Sequence, residues 1–529
     1  METVGSWLTS AIETLNSWVW SPALVGLCLL AGLYFSLRTR FVQVRRFREM
    51  FRLLFSSSGL ISPPSGGRGG PGPGISSFQA FAMALSGRVG TGNIVGVATA
   101  IGFGGPGAIV WMWIIAFFGA GSAFVEATLA QIYKEDHNGQ FRGGPAYYIE
   151  KGLRSHFFGI LFAVLAAIAC GVFLPPIQCN GIALSCGRSF GVEAWVMGIV
   201  VATLIGLVII GGVKRIARVA QVVAPVMAVI YIVLAIVVLV VHYQIVPDVF
   251  MQMLRGALGV NEVGGALLGS TIAWGVKRGI YSNEAGQGTG AIVAAAAKVS
   301  HPVKQGLVQA FSVYIDTLLV CTATALIILA CHTYNIIDTV QQTADGAVVT
   351  YLQQNPGAPL GEPGVFYTTE ALGSVIGSRA GDMVISIALF FFAFTTIMAY
   401  YYYAETNLVY LFNRWRRRIY KKHPERLDEL EYADMHFGDD RREKVVIWVL
   451  RIGTIVSVFT VSLVGSGIVW TLGDIGVGIM AWINVIAILL LSSQAMRALN
   501  DYERQRREGK DPVFHPRSLG ITRSEYWDQ

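Results

Sequence analysis

Two glycine-rich segments of this sequence carry charged side chains inside stretches that are otherwise apolar. Residues 86–96 read Ser-Gly-Arg-Val-Gly-Thr-Gly-Asn-Ile-Val-Gly, and residues 274–290 read Trp-Gly-Val-Lys-Arg-Gly-Ile-Tyr-Ser-Asn-Glu-Ala-Gly-Gln-Gly-Thr-Gly. In a membrane, such an interruption survives only where it faces protein or a water-filled cavity, because hydrocarbon offers no partner to free backbone N–H and C=O groups. Charges at that depth are costly and usually mark function. Both segments are therefore candidate sites, although glycines also serve close helix packing.

Residues 86–96 predict a helix that stops and restarts inside the membrane. We expect the carboxylate of an amino acid to bind the amides of Gly90, Thr91, Gly92 and Asn93, because free N–H groups and the positive end of a helix dipole favour an anion. The glycines would let the ligand approach closely. Gln79, earlier in the same apolar segment, is a further candidate for substrate binding.

Residues 274–290 predict a second helix of the same kind. We expect the ammonium group of the ligand to bind carbonyl oxygens around Thr271, Trp274 and Gly275, at the end of the first half of this helix. The Trp274 ring would form a wall of the pocket. Together, the two segments predict a site for a zwitterion.

Oxygen-bearing side chains near these segments predict a cation site. Sodium is a hard cation and needs several oxygen ligands. We expect them from carbonyl groups freed in the breaks, from Asn93, and from the hydroxyl groups of Thr395 and Thr396. Arg88 and Glu284 have opposite charges, and we expect them to pair between the two segments and to gate the pathway.

The composition places the chain in a lipid bilayer. Of its 529 residues, 53% are hydrophobic and only 14% are charged, and the mean hydropathy is +0.54, whereas soluble domains carry about 25% charged residues. The net charge of +7 comes from basic residues grouped between apolar segments. Such groups indicate membrane topology, so the charge does not predict a nucleic-acid partner.

A helix that crosses a bilayer needs about twenty mostly apolar residues. On that basis the sequence predicts an all-α integral membrane protein with about eleven transmembrane helices. They are expected at 22–37, 76–101, 106–131, 157–177, 192–212, 218–241, 265–297, 303–331, 383–411, 445–464 and 473–497.

The positive charges between these spans predict the orientation of the chain. Basic residues occupy every second connection, which marks those connections as cytoplasmic. The long stretch 333–381 has Arg379 as its one Lys or Arg residue and is therefore expected outside. The sequence thus predicts a multi-pass protein of a bacterial inner membrane, with its N-terminus outside and its C-terminus in the cytoplasm. The basic connections are 38–52, 134–154, 214–218, 298–304, 414–422 and 497–510.

The spans divide into repeats. Residues 1–75 are expected to form a surface amphipathic helix, one extra transmembrane helix and a cytoplasmic linker rich in glycine and proline. Residues 76–241 and 265–497 would each form five helices, with a solvated connector at 413–444, and 498–529 would form a cytoplasmic tail. Five spans separate the starts of the two broken helices, so the second enters from the opposite face, as in an inverted repeat.

Several long motifs closely resemble the alanine or glycine:cation symporter family, also called sodium:alanine symporters. They are Ala-Leu-Ser-Gly-Arg-Val-Gly-Thr-Gly-Asn-Ile-Val-Gly-Val-Ala-Thr-Ala at 84–100, Gly-Gly-Pro-Ala-Tyr-Tyr-Ile at 143–149, Arg-Gly-Ile-Tyr-Ser-Asn-Glu-Ala-Gly at 278–286 and His-Pro-Val-Lys-Gln-Gly-Leu-Val-Gln at 301–309. The resemblance implies a leucine-transporter-like core of two inverted five-helix repeats that imports alanine or glycine with sodium by alternating access. It also implies that Thr395 and Thr396 lie where a sodium-binding hydroxyl is expected, and that sodium is the coupling ion with no other metal or cofactor.

The sequence departs from the family pattern near the expected pocket. Residues 398–400 are Met-Ala-Tyr, where many members have Ile-Gly-Trp. Tyr400 is smaller than Trp and adds a hydroxyl, which makes it a candidate substrate-binding residue. Glutamine and serine therefore stay open as substrates beside alanine and glycine, because a polar pocket could satisfy a side-chain amide.

Other functional classes leave weaker traces in the sequence. An uncoupled channel is the alternative, but a channel normally shows a repeated pore ring. No H-E-x-x-H, G-x-S-x-G or Walker motif occurs, which argues against an enzyme and against direct use of ATP. Cys179 and Cys186 lie in one predicted external loop and could form a disulfide, and no pattern indicates an oligomeric state.

Overall fold

The computed structural model describes residues 2–55, 74–137, 139–260, 264–343, 346–361, 363–422, 441–461 and 466–528. These ranges are mostly helical. In chain order the elements are α1 Glu2–Val19, α2 Pro22–Arg38, α3 Val42–Arg45, α4 Phe47–Phe55, α5 Ser77–Arg88, α6 Gly92–Gly104, α7 Ala108–Ile132, β1 Glu135–His137, β2 Gln140–Arg142, α8 Pro145–Gly152, α9 His156–Phe190, α10 Ala194–Ile209, α11 Gly212–Val241, α12 Val246–Ala257, α13 Gly264–Asn283, α14 Thr289–Ala296, α15 Pro302–Ala330, β3 Asn335–Thr343, β4 Gly346–Gln354, α16 Val365–Ile376, α17 Ser378–Lys422, α18 Arg441–Val461 and α19 Ser466–Arg507.

The chain is a multi-pass membrane protein. Among the described residues, seven helices are long and apolar enough to cross a bilayer, and α6 and α10 are shorter apolar helices. Every predicted span overlaps a helix or two consecutive helices. The seven long segments are Thr9–Arg38, Ala108–Ile132, His156–Phe190, Gly212–Val241, Pro302–Ala330, Ser378–Ile419 and Gly467–Arg507.

Helix α7 lies at the centre of the bundle and packs against α2, α13 and α15. Small residues make these crossings close. A Cβ atom on Gly32 would lie 2.8 Å from the Cβ of Phe118, and one on Gly306 would lie 2.3 Å from the Thr128 hydroxyl. These glycines serve close packing between helices.

The connections between spans contain structure that the sequence did not predict. The stretch 333–381 forms the antiparallel β3–β4 hairpin followed by α16. The first part of the predicted connector is helical, because α17 continues to Lys422. Its last residues, 441–444, begin α18. The middle of the connector, 423–440, and all but the last residue of the predicted glycine- and proline-rich linker lie outside the described residues.

The disulfide that the sequence left open between Cys179 and Cys186 is not formed in this structure. Both residues lie within α9 instead of an external loop, and both are free and buried. A separation of seven residues places them on one face of the helix, two turns apart. At that separation they pack as small apolar side chains.

Candidate functional site

The first break lies where the sequence predicts it. Helix α5 ends at Arg88, and α6 begins at Gly92 with a widened turn. Side chains satisfy two of the amides between them: the N–H of Gly90 donates to Asn93 Oδ1 (2.9 Å), and the N–H of Thr91 donates to Gln178 Oε1 (3.0 Å). Two of the amides expected to bind an anion thus have protein acceptors. The Thr91 side chain is fully buried beside these amides.

Gly90 is required by close approach. A Cβ atom there would lie 2.5 Å from the Thr396 hydroxyl oxygen and 2.7 Å from Gln178 Oε1. Any larger residue would push α9 and α17 away from the break. The glycine therefore lets side chains from two other helices reach the interrupted backbone.

Thr396 brings a buried hydroxyl group against the end of α5. Its Oγ1 lies 2.8 Å from the carbonyl oxygen of Ser86, 3.1 Å from that of Val89 and 2.9 Å from that of Phe392. A hydroxyl has one proton to donate, so three acceptors around it exceed what it can satisfy. The neighbouring Thr395 is also buried, and its Oγ1 donates to the Phe392 carbonyl (3.0 Å).

Asp316, on α15, connects the surroundings of both breaks. Asn93 Nδ2 donates to its Oδ1 (2.7 Å), and the hydroxyls of Ser282 and Thr317 donate to its Oδ2 (2.9 and 2.7 Å). All four side chains are fully buried. No ion pair to Asp316 occurs among the residues that the structure describes, and a buried carboxylate without a positive partner is costly.

The second break lies later than the sequence predicts. Helix α13 continues to Asn283, and the chain turns at Glu284, Gly286 and Gly288, whose φ angles are 56°, 89° and 88°. The Gly286 carbonyl accepts from Asn484 Nδ2 (2.9 Å). The backbone groups freed by this break therefore lie around residues 284–288.

Thr271, Trp274 and Gly275 are therefore not at a break, and their expected role in binding an ammonium group through free carbonyls is wrong. They lie within the intact helix α13. The Thr271 hydroxyl donates to the Gly104 carbonyl (2.7 Å), and Trp274 stacks on Phe103 with ring centroids 4.6 Å apart. A Cβ atom on Gly275 would lie 2.5 Å from the Ala108 carbonyl oxygen. These residues pack α13 against α6 and α7.

Gln79 is also placed away from the break. It lies in the first turn of α5, where its side chain accepts from the Ser76 N–H (3.0 Å) and its own N–H donates to the Ser76 hydroxyl (3.1 Å). This is a capping box. It stabilises the start of the helix, and the role of Gln79 in substrate binding stays a prediction.

The expected ion pair between Arg88 and Glu284 is absent from the described ion pairs. Arg88 donates to the Ser312 hydroxyl and to the Gln309 carbonyl (3.4 Å), whereas Glu284 accepts from the Tyr403 hydroxyl (3.1 Å). Each charged group is held by neutral partners on a neighbouring helix. Tyr400 is buried on α17, with its ring centroid 5.9 Å from that of Tyr403.

The ion pair that the sequence analysis missed joins α13 to α19. Arg278 makes two bonds to Asp474, from Nη1 to Oδ1 (3.0 Å) and from Nη2 to Oδ2 (3.2 Å), and Lys277 Nζ lies 2.6 Å from Oδ2. Asp474 is a lone carboxylate in an apolar span, which is a signal for function or pairing. Gln178 gave no local signal, because it stands in a helix far from both glycine-rich segments.

Helices α5–α6 and α13–α14 are each interrupted at a glycine-rich turn and are held around buried polar side chains, which is the arrangement of a secondary transporter with discontinuous helices. The solved structure described as "Crystal structure of MhsT in complex with L-phenylalanine" has this fold: it aligns with a TM-score of 0.50 at 12% sequence identity, over 82% of this chain and 98% of that one. The fold is thus leucine-transporter-like.

The chain belongs to the sodium:alanine symporter family, which matches residues 5–423 and 431–516. It is 43% identical to the sodium/proton-dependent alanine carrier protein of Bacillus sp. (strain PS3), over 86% of this chain and 94% of that protein. It is 40% identical to the probable sodium/glutamine symporter GlnT of Bacillus subtilis (strain 168), over 94% of this chain and 92% of that protein. The chain is accordingly a sodium-coupled amino-acid symporter rather than an enzyme, and the channel alternative finds no support.

Proposed function

We propose that the chain imports alanine or glycine with sodium by alternating access, and that glutamine is a second candidate substrate. Relatives support both choices, since one is named an alanine carrier and another a sodium/glutamine symporter. Tyr400, which is smaller than tryptophan and carries a hydroxyl, favours keeping the larger amide substrate in the test. The single observation that carries the proposal is the first break, with Thr396 against three carbonyl oxygens.

The proposed topology has eleven crossings arranged as one extra helix and two inverted repeats, 76–241 and 265–497. The seven long apolar helices support it, and the two broken helices, α10 and α18 complete the count. The loops predicted to be cytoplasmic meet at one end of the bundle: Arg414 contacts Glu135 (2.8 Å), and Lys151 contacts Glu135 (2.8 Å) and Glu525 (3.3 Å). The N-terminus would then be outside and the C-terminus in the cytoplasm.

The opposite end of the bundle supports an external entrance. A cavity of about 580 Å³ lies between the α6–α7 turn, α12, α13 and the β3–β4 hairpin. Its lining includes Gly105, Arg255, Thr271 and Gln353. These elements belong to the connections predicted to be external, so the cavity would open to the outside above the paired ends of α6 and α13.

Two groups of oxygen atoms are the proposed sodium ligands. The first consists of the hydroxyls of Thr395 and Thr396 with the carbonyls of Ser86, Val89 and Phe392. The second is the Asp316 carboxylate with Asn93, Ser282 and Thr317. Hard cations bind carbonyl, hydroxyl and carboxylate oxygens. The first group contains more carbonyl acceptors than hydroxyl protons, and the second contains a buried carboxylate without an ion-pair partner among the described residues.

The proposed substrate site lies between these two groups. The carboxylate of the amino acid would bind at the restart of α6, near Thr91, Gly92 and Asn93, where the helix dipole favours an anion. The fully buried Thr91 hydroxyl stands beside the backbone amides there and would donate to the carboxylate. Gly92 lies against the Tyr281 ring: a Cβ atom on Gly92 would be 3.1 Å from the nearest ring carbon. Helix α13, which carries Tyr281, therefore shapes this side of the pocket.

Transport by the purified chain in proteoliposomes tests the proposal. Uptake of labelled alanine, glycine, serine and glutamine is measured under an inward gradient of sodium, of lithium or of protons. We expect saturable uptake of at least one of these substrates that requires sodium, and counterflow with the same selectivity. Uptake that does not saturate or that is indifferent to all three ions would overturn coupled symport and return the channel alternative.

A further inference from the structure

The two broken helices are joined at the end of the bundle that carries the C-terminus. The Ile75 N–H, just before α5, donates to the Ala296 carbonyl at the end of α14 (3.0 Å), and the Lys298 N–H donates to the Ile75 carbonyl (2.9 Å). The Gly74 N–H also donates to the Gly139 carbonyl of the β1–β2 turn (2.8 Å). The first half of one broken helix and the second half of the other therefore meet here as one unit.

Side chains at the end of α7 complete this junction. Gln131 Nε2 and Lys134 Nζ each lie 2.9 Å from the Ala297 carbonyl oxygen. Both are fully buried, and Lys134 Nζ also donates to Gln131 Oε1 (2.7 Å). The last carbonyl groups of α14 thus find donors on α7, as the end of a helix requires.

Residues 511–528, the C-terminal segment, cover this junction. Trp527 Nε1 donates to the Gln131 carbonyl (2.8 Å), and the Phe514 N–H donates to the Ser300 carbonyl (3.0 Å). The Tyr526 ring packs edge-on against Phe141, with centroids 4.7 Å apart. The segment thereby contacts the end of α7, the α14–α15 loop and the β1–β2 hairpin, which surround the ends of α5 and α14.

Lys134 lies among the aromatic rings of the C-terminal segment. Its Nζ is 4.3 Å from the ring centroid of Phe141, 4.4 Å from that of Tyr526 and 5.1 Å from that of Trp527. Such contacts between an amino group and aromatic faces stabilise a site from which water is excluded. Phe141 in turn lies against Gly74, where a Cβ atom would come within 2.6 Å of the ring.

The C-terminal segment is joined to the helix bundle through an exposed connection. Residues 507–511, which connect it to α19, are all exposed, and Gly509 adopts a positive φ of 75°. Phe514 and Ile521 are buried apolar side chains of the segment. Polar contacts from Lys304 to Asp511 (2.6 Å), from the Ser300 hydroxyl to the Pro512 carbonyl (2.8 Å) and from Arg497 to the Leu519 carbonyl (3.2 Å) also hold it. The segment is therefore held on the surface of the junction by its own contacts and not as part of a helix of the bundle.

We propose that the C-terminal segment is the binding partner of the junction between the two broken helices, and that its docking holds the cytoplasmic exit of the transporter closed. The inference rests on the proposed function, because alternating access requires these half-helices to separate when the site opens inward. When Trp527 and Tyr526 leave, Lys134 loses two aromatic neighbours and the Gln131 carbonyl loses a hydrogen bond. This loss weakens the contacts that hold Ala297 to Ile75. Inward opening then follows.

The test measures exposure of the exit separately from transport. A reporter cysteine replaces Ala80, which is fully buried in α5, and a membrane-impermeant maleimide is applied to inside-out vesicles. In the Tyr526→Ala/Trp527→Ala variant we expect labelling to be about five- to tenfold faster, because a ring contact with an amino group and a hydrogen bond are lost from the closed state. Labelling of the native cysteines is measured in the same chains without the reporter.

Trp195→Ala is the matched control, since Trp195 is 52% exposed on α10 and lies away from the junction. Its labelling rate is expected to match that of the parent chain. Equal labelling of the double variant and the parent would overturn the proposal. If the parent chain shows no sodium-dependent uptake, the proposed function fails by itself, because the labelling measurement does not depend on it.

A tether provides a second test that removes no aromatic contact. Cysteines at Ser300 and at Val513, which precedes Phe514 and is exposed, are joined by mild oxidation in the otherwise unchanged segment. We expect uptake to fall at least about fivefold on oxidation, as a trapped closed state would give, and to recover with reductant. Each single-cysteine chain serves as a control, and undiminished uptake by the cross-linked chain would refute the proposal.

Discussion

The Thr396 hydroxyl is the side-chain group on which the proposed sodium site depends most directly. Thr396→Val keeps the shape of the side chain but removes the oxygen that lies 2.8 to 3.1 Å from the carbonyl oxygens of Ser86, Val89 and Phe392. An interaction between a neutral polar group and a charge contributes about 1.5–3 kcal/mol. Since about 1.4 kcal/mol corresponds to a factor of ten in affinity, we expect half-maximal activation to need roughly 10- to 150-fold more sodium.

The assay is initial uptake of the preferred amino acid in proteoliposomes as a function of external sodium. Thr396→Ser keeps the hydroxyl, so it should restore most of the sodium affinity. Thr324→Val is the matched control, because its buried hydroxyl bonds Tyr231 (2.8 Å) on α11, outside the oxygen group around Thr396. An unchanged sodium requirement in a folded Thr396→Val protein would refute the assignment of this hydroxyl as a ligand.

Three further perturbations test other parts of the structure. Asp316→Asn should abolish sodium-stimulated uptake, because it removes the buried charge without changing the side-chain shape, and sodium-dependent uptake equal to the parent's would contradict this role. Gly90→Ala should reduce uptake at least about tenfold and destabilise the protein by about 1–3 kcal/mol, since the new Cβ would lie 2.5 Å from the Thr396 hydroxyl. Gly26→Ala is the control: a Cβ atom there has no neighbour within 4 Å, so uptake and the thermal unfolding temperature should both be unchanged. Burial lowers the pKa of His301 from 6.5 to about 4, so its neutral form contributes stability that is present above pH 6.5 and is lost as pH falls toward 4. At pH 5 the loss should be about 2 kcal/mol, and His301→Asn should remove that part of the change in melting temperature between pH 7.5 and pH 5, whereas an identical pH dependence would contradict it.

The first break could be predicted from sequence because its determinants are local. Gly90, Gly92 and Asn93 stand within four residues, and Asn93 itself accepts from the Gly90 N–H (2.9 Å). The glycines of the second segment have two different uses. Gly275 allows α13 to approach α7, whereas Gly288 adopts the positive φ of the turn. Both uses select glycine for the absence of a Cβ atom, so spacing alone could not locate the second break.

Charge partners could not be predicted, because they depend on packing between distant helices. Arg88 and Glu284 have complementary charges in matching segments, yet the structure gives each a neutral partner on another helix. Arg278 pairs instead with Asp474, which lies 196 residues further along the chain. A sequence pattern shows that a buried charge needs a partner but does not show which helix supplies it.

The distribution of partners among buried carboxylates separates structural residues from the proposed ion ligand. Asp474 pairs with Arg278, and Glu405 pairs with Arg142, so their charges are balanced by the protein and hold helices together. Asp316 has no basic partner among the described ion pairs. Its two carboxylate oxygens accept hydrogen bonds from Asn93 beside the first break, from Ser282 beside the second break, and from Thr317, the next residue in the chain. A buried carboxylate without an ion-pair partner at this position would stabilise a bound cation. Because Asn93 and Ser282 belong to the two broken helices, a cation at Asp316 would bind both helices at once, which is how ion binding can bias the equilibrium between outward-facing and inward-facing states.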